Sequence, residues 1–391
     1  MAQVRLGQSI RNAIAEARPE GLTADVYPPI AEAGADRRAK TAPGRSGSPG
    51  PARADLERTL IDVRSELARL GALCQSLRDE ILMLGDATDL VRRDVAALRE
   101  AGRAQAAASW ERFDELEIKT RPLIPFDDES WAVRLRDGYA MLPRSEPMFT
   151  VMVANAPSGG LEAGTRQVLK ALIEPGMVVA DVGANVGLLT LACAVATGPT
   201  GRVHAFEPEA GPRAQLVNTL RLNGLTWIEV HDCAVGARSE RGLFNVSPVI
   251  GHSSLYPLPA EEVASGRQET VNVVALDDLL PAGARLDVVK IDVEGAELDV
   301  IAGMQRLLSD NADLAIVAEY GPSHLARIGV DPADWFAAFA AHGFETFAIE
   351  EPWGVCRPVA LADLVGVESV NLAFVRQAGA ARDRLPRDAP E

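Results

Sequence analysis

The sequence is poor in cysteine. Its 391 residues contain four, Cys74, Cys193, Cys233 and Cys356, and no two of them form a C-x-x-C pair. The scattered positions exclude a zinc site built on paired cysteines and indicate a reducing compartment. We therefore expect a cytoplasmic protein, and we assign no metal ligands.

Long apolar runs and positive charge are also lacking. No run of about 18 apolar residues occurs, so the sequence predicts no membrane-spanning helix. The N-terminus has no apolar stretch of the kind found in signal peptides. The formal net charge is −16, with only four lysines. Because a nucleic-acid backbone needs a basic surface, this charge argues against a nucleic acid as the partner.

The two ends of the chain have the composition of disordered segments. Residues 1–52 are rich in Pro, Gly, Ala and Arg and contain few large apolar side chains. Such a segment buries too little apolar surface to offset the entropy lost on ordering. Residues 377–391 are charged and contain two prolines, and we expect a disordered tail there too.

Residues 53–108 contain a heptad repeat. Apolar residues alternate at spacings of four and three from Leu56 to Leu98, with charged residues between them. The stripe lasts about six heptads, which favours a coiled coil that joins copies of the chain into a homo-oligomer. The alternative is one amphipathic helix that packs on the main domain.

The main domain is predicted over residues 109–376, with its core at 160–376, and it is organised around residues 178–192. Val178–Val182 is a short apolar run that predicts a buried parallel strand. Two glycines follow in a turn, and the next apolar residues begin a helix. A strand, a glycine-bearing turn and a helix N-terminus form the first half of a nucleotide-binding βαβ unit.

The spacing of this turn discriminates between nucleotides. A dinucleotide loop has the pattern G-x-G-x-x-G, whereas this turn has D-x-G-x-N-x-G, with Asn185 in place of the middle glycine. The carboxylate of Asp181 at the strand tip would repel a pyrophosphate but can hold an ammonium group. This favours S-adenosylmethionine (SAM) as the ligand. A tight turn without any ligand is the alternative.

Acidic residues also end the second and third predicted strands. Glu207 follows the second strand, where NAD and SAM sites alike place a carboxylate against the ribose hydroxyls. The alternative is a solvated glutamate in a turn. Asp232 follows the third strand, where it could accept a hydrogen bond from the adenine amino group or cap the next turn.

The fourth predicted strand ends at Asp292, and Glu294 and Glu297 follow closely. Ligands of open α/β sheets bind at the carboxyl ends of the strands, so we expect Asp292 and Glu294 to face the transferable methyl group and its acceptor. Helix capping is the competing interpretation, and we assign it to Glu297.

Three sequence blocks together resemble the FkbM family of SAM-dependent methyltransferases. They are D-V-G-A-N-V-G at 181–187, F-E-P at 206–208 and K-I-D-V-E-G-A-E at 290–297, and Gly251–Leu255 and Glu319 with Pro322 and Leu325 also fit. The resemblance covers residues 160–376. It implies an α/β fold with a Rossmann-like, seven-stranded class I methyltransferase sheet, here preceded by the coiled-coil helix, and an antiparallel last strand. It also implies SAM binding by Asp181, Gly183, Asn185, Gly187, Glu207 and Asp232, with Asp292 and Glu294 at the transfer site.

The expected reaction is methylation of a hydroxyl on a glycan, glycolipid or polyketide-type acceptor. A base would remove the hydroxyl proton. Asp292 is the first candidate, Glu294 the second, and His252 or His324 the third. One alternative is a NAD-linked enzyme of similar architecture. Another is a coiled-coil assembly protein whose methyltransferase domain docks a partner.

Overall fold

The computed structural model describes residues 121–156, 160–263 and 266–388, together with isolated helical positions between 62 and 119. The chain divides into two compact units, Met1–Val91 and Arg92–Glu391. In the first unit the described positions are helical and exposed, including the seam residue Leu70, which is 50% exposed. The predicted disordered segment 1–52 and most of the heptad seam lie outside the described residues. The homo-oligomer therefore stays a prediction.

Fourteen strands are described in the second unit, in three sheets. They are β1 (Leu123–Pro125), β2 (Ser130–Leu135), β3 (Gly138–Pro143), β4 (Val178–Val182), β5 (Arg202–Phe206), β6 (Ile228–His231), β7 (Cys233–Val235), β8 (Glu240–Val246), β9 (Arg267–Val274), β10 (Val288–Ile291), β11 (Ala315–Tyr320), β12 (Phe344–Glu350), β13 (Val355–Pro358) and β14 (Val370–Arg376).

The helices of this unit lie between the strands. They are α1 (Pro147–Asn155), α2 (Ala163–Leu172), α3 (Leu188–Thr197), α4 (Ala210–Leu222), α5 (Ala260–Val263), α6 (Leu276–Leu279), α7 (Glu297–Ala302), α8 (Gln305–Asp310), α9 (Pro322–Ile328), α10 (Pro332–Ala340), a short 3₁₀ helix (Leu361–Leu364) and α11 (Ala380–Arg384). None of the helices among the described residues is both long enough and apolar enough to cross a membrane.

The central sheet has the order β13-β12-β14-β11-β10-β4-β5-β6. Strands β4, β5, β6, β10 and β11 pair in parallel, and β14 pairs antiparallel with both β11 and β12. The expected Rossmann-like arrangement and antiparallel last strand are therefore present. The expected count of seven strands is not, because β13 folds back along the free edge of β12 and adds an eighth.

Both faces of this sheet are covered by helices. Consecutive residues of β4 alternate between the faces, so Val179 packs with α2 and α3 while Ala180 packs with α7, α8 and α10. Strands buried on both faces are mostly apolar. All four residues of β10 are buried, and Lys290 is the one polar residue among them. The carboxyl ends of β4, β5 and β10 then meet at one edge of the sheet, and this edge carries the candidate site.

Two smaller sheets flank that edge. The antiparallel sheet β1-β2-β3 shares an apolar cluster with Val186 of the glycine turn, and Met141 of β3 donates its backbone N–H to the Thr219 hydroxyl of α4 at 2.9 Å. The sheet β7-β9-β8 leads into the loop at 247–257.

The charged tail differs from its prediction. Instead of disorder, it contains helix α11, and Ala381 and Leu385 are buried against the core cluster on the α2 and α3 face. The backbone N–H of Cys356 also donates to the carbonyl of Pro386 at 2.7 Å. These contacts, together with the ion pairs Arg382–Glu345 and Arg384–Glu174, hold the segment against the domain, which composition alone does not reveal.

Candidate active site at the carboxyl edge of the sheet

Glycine allows two turns to touch at this edge. Gly183 follows β4 with a φ of 79°, a conformation that larger residues rarely adopt. A Cβ atom at this position would collide with the carbonyl oxygen of Asp292. Only a glycine therefore lets the turn after β4 lie directly against the turn after β10. Gly187 has a φ of 91°, and a Cβ there would meet the side chain of Leu216 on α4.

Glu207 ties the turn after β4 to the turn after β5. It is 7% exposed. One carboxylate oxygen accepts a hydrogen bond from the backbone N–H of Asn185 at 2.8 Å, and the other accepts one from Glu209 at 2.8 Å. Burial outweighs these two donors and raises the pKa of Glu207 to about 7. Each carboxylate oxygen has a second lone pair, which remains available to a ligand hydroxyl.

Lys290 is the central cation of the site, and its side chain is 4% exposed. Its ammonium lies 3.2 Å from the Asp292 carboxylate and 3.8 Å from that of Asp181, and it donates to the carbonyl of Gly183 at 3.1 Å. Burial opposes its charge, but Asp292 and Asp181 hold its pKa above the usual range. Sequence reasoning gave Lys290 no role. The available signal was a lysine inside an otherwise apolar strand.

Asp181 lies beneath the site, not on its surface. It is fully buried, and one oxygen accepts a hydrogen bond from the Thr190 hydroxyl of α3 at 2.5 Å. Burial raises its pKa in spite of Lys290. The other oxygen has no hydrogen-bond partner among the described residues. Its predicted contact with the cofactor is thus not apparent in this geometry, where Asp181 acts through Lys290 and Thr190.

A cavity opens above these residues. Its lining comes from the turns after β4, β5 and β10, from β7 and from the loop before α5, and includes Gly183, Asn185, Glu207, Pro208, Glu209, Cys233, Ala234, Gly251, Ser253, Leu255, Asp292 and Val293. The structure therefore brings Gly183, Asn185, Glu207 and Asp292 together around one space, as the sequence predicts. Gly187 is not part of this lining, and its positive φ fixes the shape of the turn after β4.

Two predicted site residues lie elsewhere. Asp232 borders a neighbouring cleft with His231 and Glu240, because β6 ends one residue before it and β7 begins one residue after it. Its contact with the adenine ring is not supported by this position. Glu294 is absent from the cavity lining, and its carboxylate lies 3.0 Å from Nε2 of His324. Burial, followed by the charge of Asp292, raises the pKa of Glu294 to about 8.

The loop Gly251–Leu255 forms one wall of the cavity. The Ser254 hydroxyl donates to the carbonyl of Glu294 at 3.0 Å, and the Ser253 hydroxyl donates to the Glu209 carboxylate at 2.9 Å. The side chain of His252 instead pairs with Glu262 at 2.8 Å. The loop is therefore fastened to the turns after β5 and β10.

The cavity's charge and unused acceptors fit a cationic ligand. Its lining contains three carboxylates, Glu207, Glu209 and Asp292, and no Lys or Arg among the described lining residues. The side-chain oxygen of Asn185 is buried without a hydrogen-bond partner in the described structure, so an ammonium donor would satisfy it. A pyrophosphate would face these carboxylates without a counter-charge. This environment disfavours the NAD alternative.

The sheet is Rossmann-like, and a cavity lined by carboxylates lies at the carboxyl ends of β4, β5 and β10. This combination defines a nucleoside-binding α/β protein. Residues 181–346 match the family model of the methyltransferase FkbM domain. This match confirms, over residues 181–346, the resemblance carried by the three sequence blocks. The match also supports SAM as the cofactor.

Two curated relatives carry methyltransferase names. Methyltransferase 1 of Beauveria bassiana is 29% identical over 160 residues, which covers 36% of this chain and 63% of the relative. Hexuronic acid methyltransferase AglP of Haloferax volcanii is 31% identical over 179 residues, which covers 44% of this chain and 66% of the relative. The chain thus spans a little under two thirds of the length of these two relatives. A solved SAM-dependent methyltransferase from Aquifex aeolicus is 14% identical, with 59% of this chain and 98% of that chain covered and a TM-score of 0.33.

Replacing Lys290 with methionine should destabilise the fold. Lys290→Met leaves the buried carboxylate of Asp181 without its cation, and breaking a buried ion pair in this way costs about 3–5 kcal/mol. Chemical denaturation measures the change. Lys170→Met is the matched control, because Lys170 is half-exposed and its partner Asp137 keeps a second cation, Arg166. The control should lose about 1 kcal/mol or less. Equal losses in both variants would contradict the central role of Lys290.

The raised pKa of Glu207 predicts a pH dependence of stability. Its folded pKa is about 7 and its ordinary value is 4.5, so the folded chain binds this proton more tightly than the unfolded chain does. The protonated Glu207 therefore contributes fully to the free energy of unfolding at a pH below its ordinary pKa. This contribution is lost as the pH rises through the folded pKa, and it amounts to about 1.4 kcal/mol per unit of pKa difference.

Thermal melts of the ligand-free protein between about pH 5 and about pH 8 measure this effect. The melting temperature should fall with rising pH, and it should fall less in Glu207→Gln, which cannot ionise. Glu350→Gln, at an exposed ion pair with Arg357, should keep the wild-type slope. A Glu207→Gln slope as steep as that of wild type would show that Glu207 is not protonated in the fold.

Proposed function

We propose that this chain is a SAM-dependent O-methyltransferase that acts on a hydroxyl of a glycan, glycolipid or polyketide-type acceptor. The observation that carries the proposal is the position of Asp292. Its carboxylate borders the cavity, is 29% exposed, and is held by Lys290 at 3.2 Å. The family match and the name of the hexuronic acid methyltransferase AglP support a methyl transfer to a sugar-like acceptor.

Different residues of the cavity are suited to different parts of SAM. The carboxylate of Glu207 is suited to accept hydrogen bonds from ribose hydroxyls, since each oxygen uses one lone pair on a backbone N–H. The unpartnered oxygen of Asn185 is suited to the amino-acid ammonium. Gly183 removes a side chain that would fill the space between the two turns. Asp181 and Gly187 support these residues from below, and Asp232 is the weakest of the proposed contacts.

Bound SAM supplies a methyl group on a sulfonium, which is already a good leaving group. The chain therefore has to align the acceptor oxygen with that methyl group and exclude water. Asp292 takes the hydroxyl proton while the C–O bond forms and the S–C bond breaks, which yields a methyl ether and S-adenosylhomocysteine. A base so placed contributes about 10²–10⁴-fold. Lys290 fixes the orientation of the Asp292 carboxylate, and Glu294 is the second candidate for the base.

Asp292→Asn tests the role of Asp292. Asparagine keeps the shape of the side chain but does not take a proton, so turnover should fall by about 10²-fold or more while SAM affinity stays within a few-fold. Transfer of labelled methyl groups to hexuronic-acid glycans and to neutral sugars measures turnover, and calorimetry measures SAM binding.

Asp299→Asn is the matched control for this test. Asp299 follows Asp292 by seven residues, on α7, and its carboxylate accepts a hydrogen bond from the Tyr256 hydroxyl at 2.8 Å, away from the cavity lining. The control should keep both turnover and affinity. Near-normal turnover in Asp292→Asn would refute the assignment of the base, and loss of SAM binding in that variant would make Asp292 a cofactor ligand instead.

A further inference from the structure

Three side chains from three different elements converge beyond Asp292. Glu294 lies in the turn after β10, Glu319 near the end of β11, and His324 in the first turn of α9. One ligand atom from each lies within 4.8 Å of the other two. One of these separations, between Nε2 of His324 and Oε2 of Glu294, is 3.0 Å. These three residues are called the Glu-Glu-His cluster below.

The two carboxyl groups of the cluster form no ion pair with a lysine or arginine among the described residues. In the part of the chain that the structure describes, no lysine or arginine forms an ion pair with Glu319, and a carboxyl oxygen of Glu294 lies within 4.8 Å of one of its own. Arg327 donates to the backbone carbonyl of Glu294 at 3.0 Å, and not to its carboxylate. The 3.0 Å contact with His324 accounts for Glu294 alone. It leaves Glu319 facing a second carboxylate without a counter-charge.

The donor set and its spacing match a metal site. Ligand atoms that bind one Mg²⁺ or Mn²⁺ ion at about 2.1 Å lie about 3 Å apart when they occupy adjacent positions. The observed 3.0 Å separation has this value. Two carboxylates and one imidazole supply three ligand atoms, and a six-coordinate ion held by them would keep positions open for other ligands. The side chains of Glu294 and His324 are 13% and 18% exposed, so the cluster is accessible to an ion.

We propose that the Glu-Glu-His cluster binds a divalent cation of the Mg²⁺ or Mn²⁺ class. The role given to the cation rests on the proposed function, whereas the binding of the cation does not. The cation balances the carboxylates, and its open positions hold acceptor oxygens close to Asp292, two residues before Glu294 in the chain. A hydroxyl oxygen on the cation gives up its proton to Asp292 more readily. No metal ligand follows from the sequence pattern, because the three residues lie in separate elements.

A second cluster of His204, Glu229 and His231 provides an internal control. Nδ1 of His204 lies 3.1 Å from Nε2 of His231, and the two rings stack with centroids 5.4 Å apart. One hydrogen bond between the rings satisfies both of these nitrogen atoms, and Glu229 is half-exposed. With two imidazoles, this group is suited to softer ions and not to Mg²⁺ or Mn²⁺.

Titration of the full-length protein with Mn²⁺ alone, followed by electron paramagnetic resonance of the free ion, tests the proposal. Wild type should bind one Mn²⁺, and Glu319→Gln should weaken that binding at least tenfold. Glu229→Gln should leave the affinity unchanged. His324→Ala is a second variant that removes a neutral ligand, and it should also weaken binding. Circular dichroism confirms that each variant is folded.

The outcomes separate this proposal from the proposed function. Absence of Mn²⁺ binding, or unchanged affinity in folded Glu319→Gln and His324→Ala, would overturn the metal site even if SAM binds and methyl transfer proceeds. Mn²⁺ binding that is lost in Glu319→Gln would support the site even if no acceptor is methylated. Loss of affinity in Glu229→Gln alone would assign the ion to the second cluster and would refute the proposal.

Discussion

The site depends on one buried lysine. The ammonium group of Lys290 contacts the buried carboxylate of Asp181 and the carboxylate of Asp292 at the cavity. It also donates a hydrogen bond to the backbone carbonyl of Gly183. Three neighbouring segments, β4, the glycine turn and the turn after β10, are therefore fixed by a single ammonium group. Removing a charge of this kind leaves its partners buried and unpaired, which is far more costly than losing a surface ion pair.

Around this lysine, carboxylates outnumber cations. Burial raises the pKa of Glu162 to about 7, and the charges of Lys290 and Asp292 also act on this group. Burial also raises the pKa of Glu319 to about 9, with Asp292 and Glu294 contributing next. The carboxyl edge of the sheet is thus short of positive charge in the absence of ligands. A cationic cofactor on one side and a divalent cation on the other would both reduce the repulsion, which links the two proposals through the same electrostatic cause.

The sequence predicts the local elements of this site well. Apolar β-branched runs identify β4, β5 and β10, and the glycine turn and the acidic strand tips place Gly183, Asn185, Glu207 and Asp292 at one edge, because parallel strands share their carboxyl ends. The orientation of a side chain at a strand tip is harder to predict. Asp181 lies within β4, level with Lys290 of β10, whereas Asp292 follows the end of β10. Only Asp292 borders the cavity, and Thr190 and Lys290 hold Asp181 inside.

Other features depend on contacts between distant parts of the chain. The Glu-Glu-His cluster requires the packing of α9 against the turn after β10, and the eighth strand requires β13 to return along β12. The tail is ordered by a few buried contacts of Ala381 and Leu385 that its composition conceals. Asp232 ends up in a neighbouring cleft because the chain passes directly from β6 into β7 there. None of these outcomes has a local sequence signal.

The most direct measurement of the central claim is a crystal structure of the chain with S-adenosylhomocysteine. The account predicts that the ribose lies against Glu207, that the amino-acid ammonium lies near Asn185, and that the sulfur atom faces the exposed carboxylate of Asp292 while Lys290 keeps its contacts with Asp181 and Gly183. A ligand bound outside this cavity, or a Lys290 side chain that leaves Asp181 and Asp292 when the ligand binds, would contradict it.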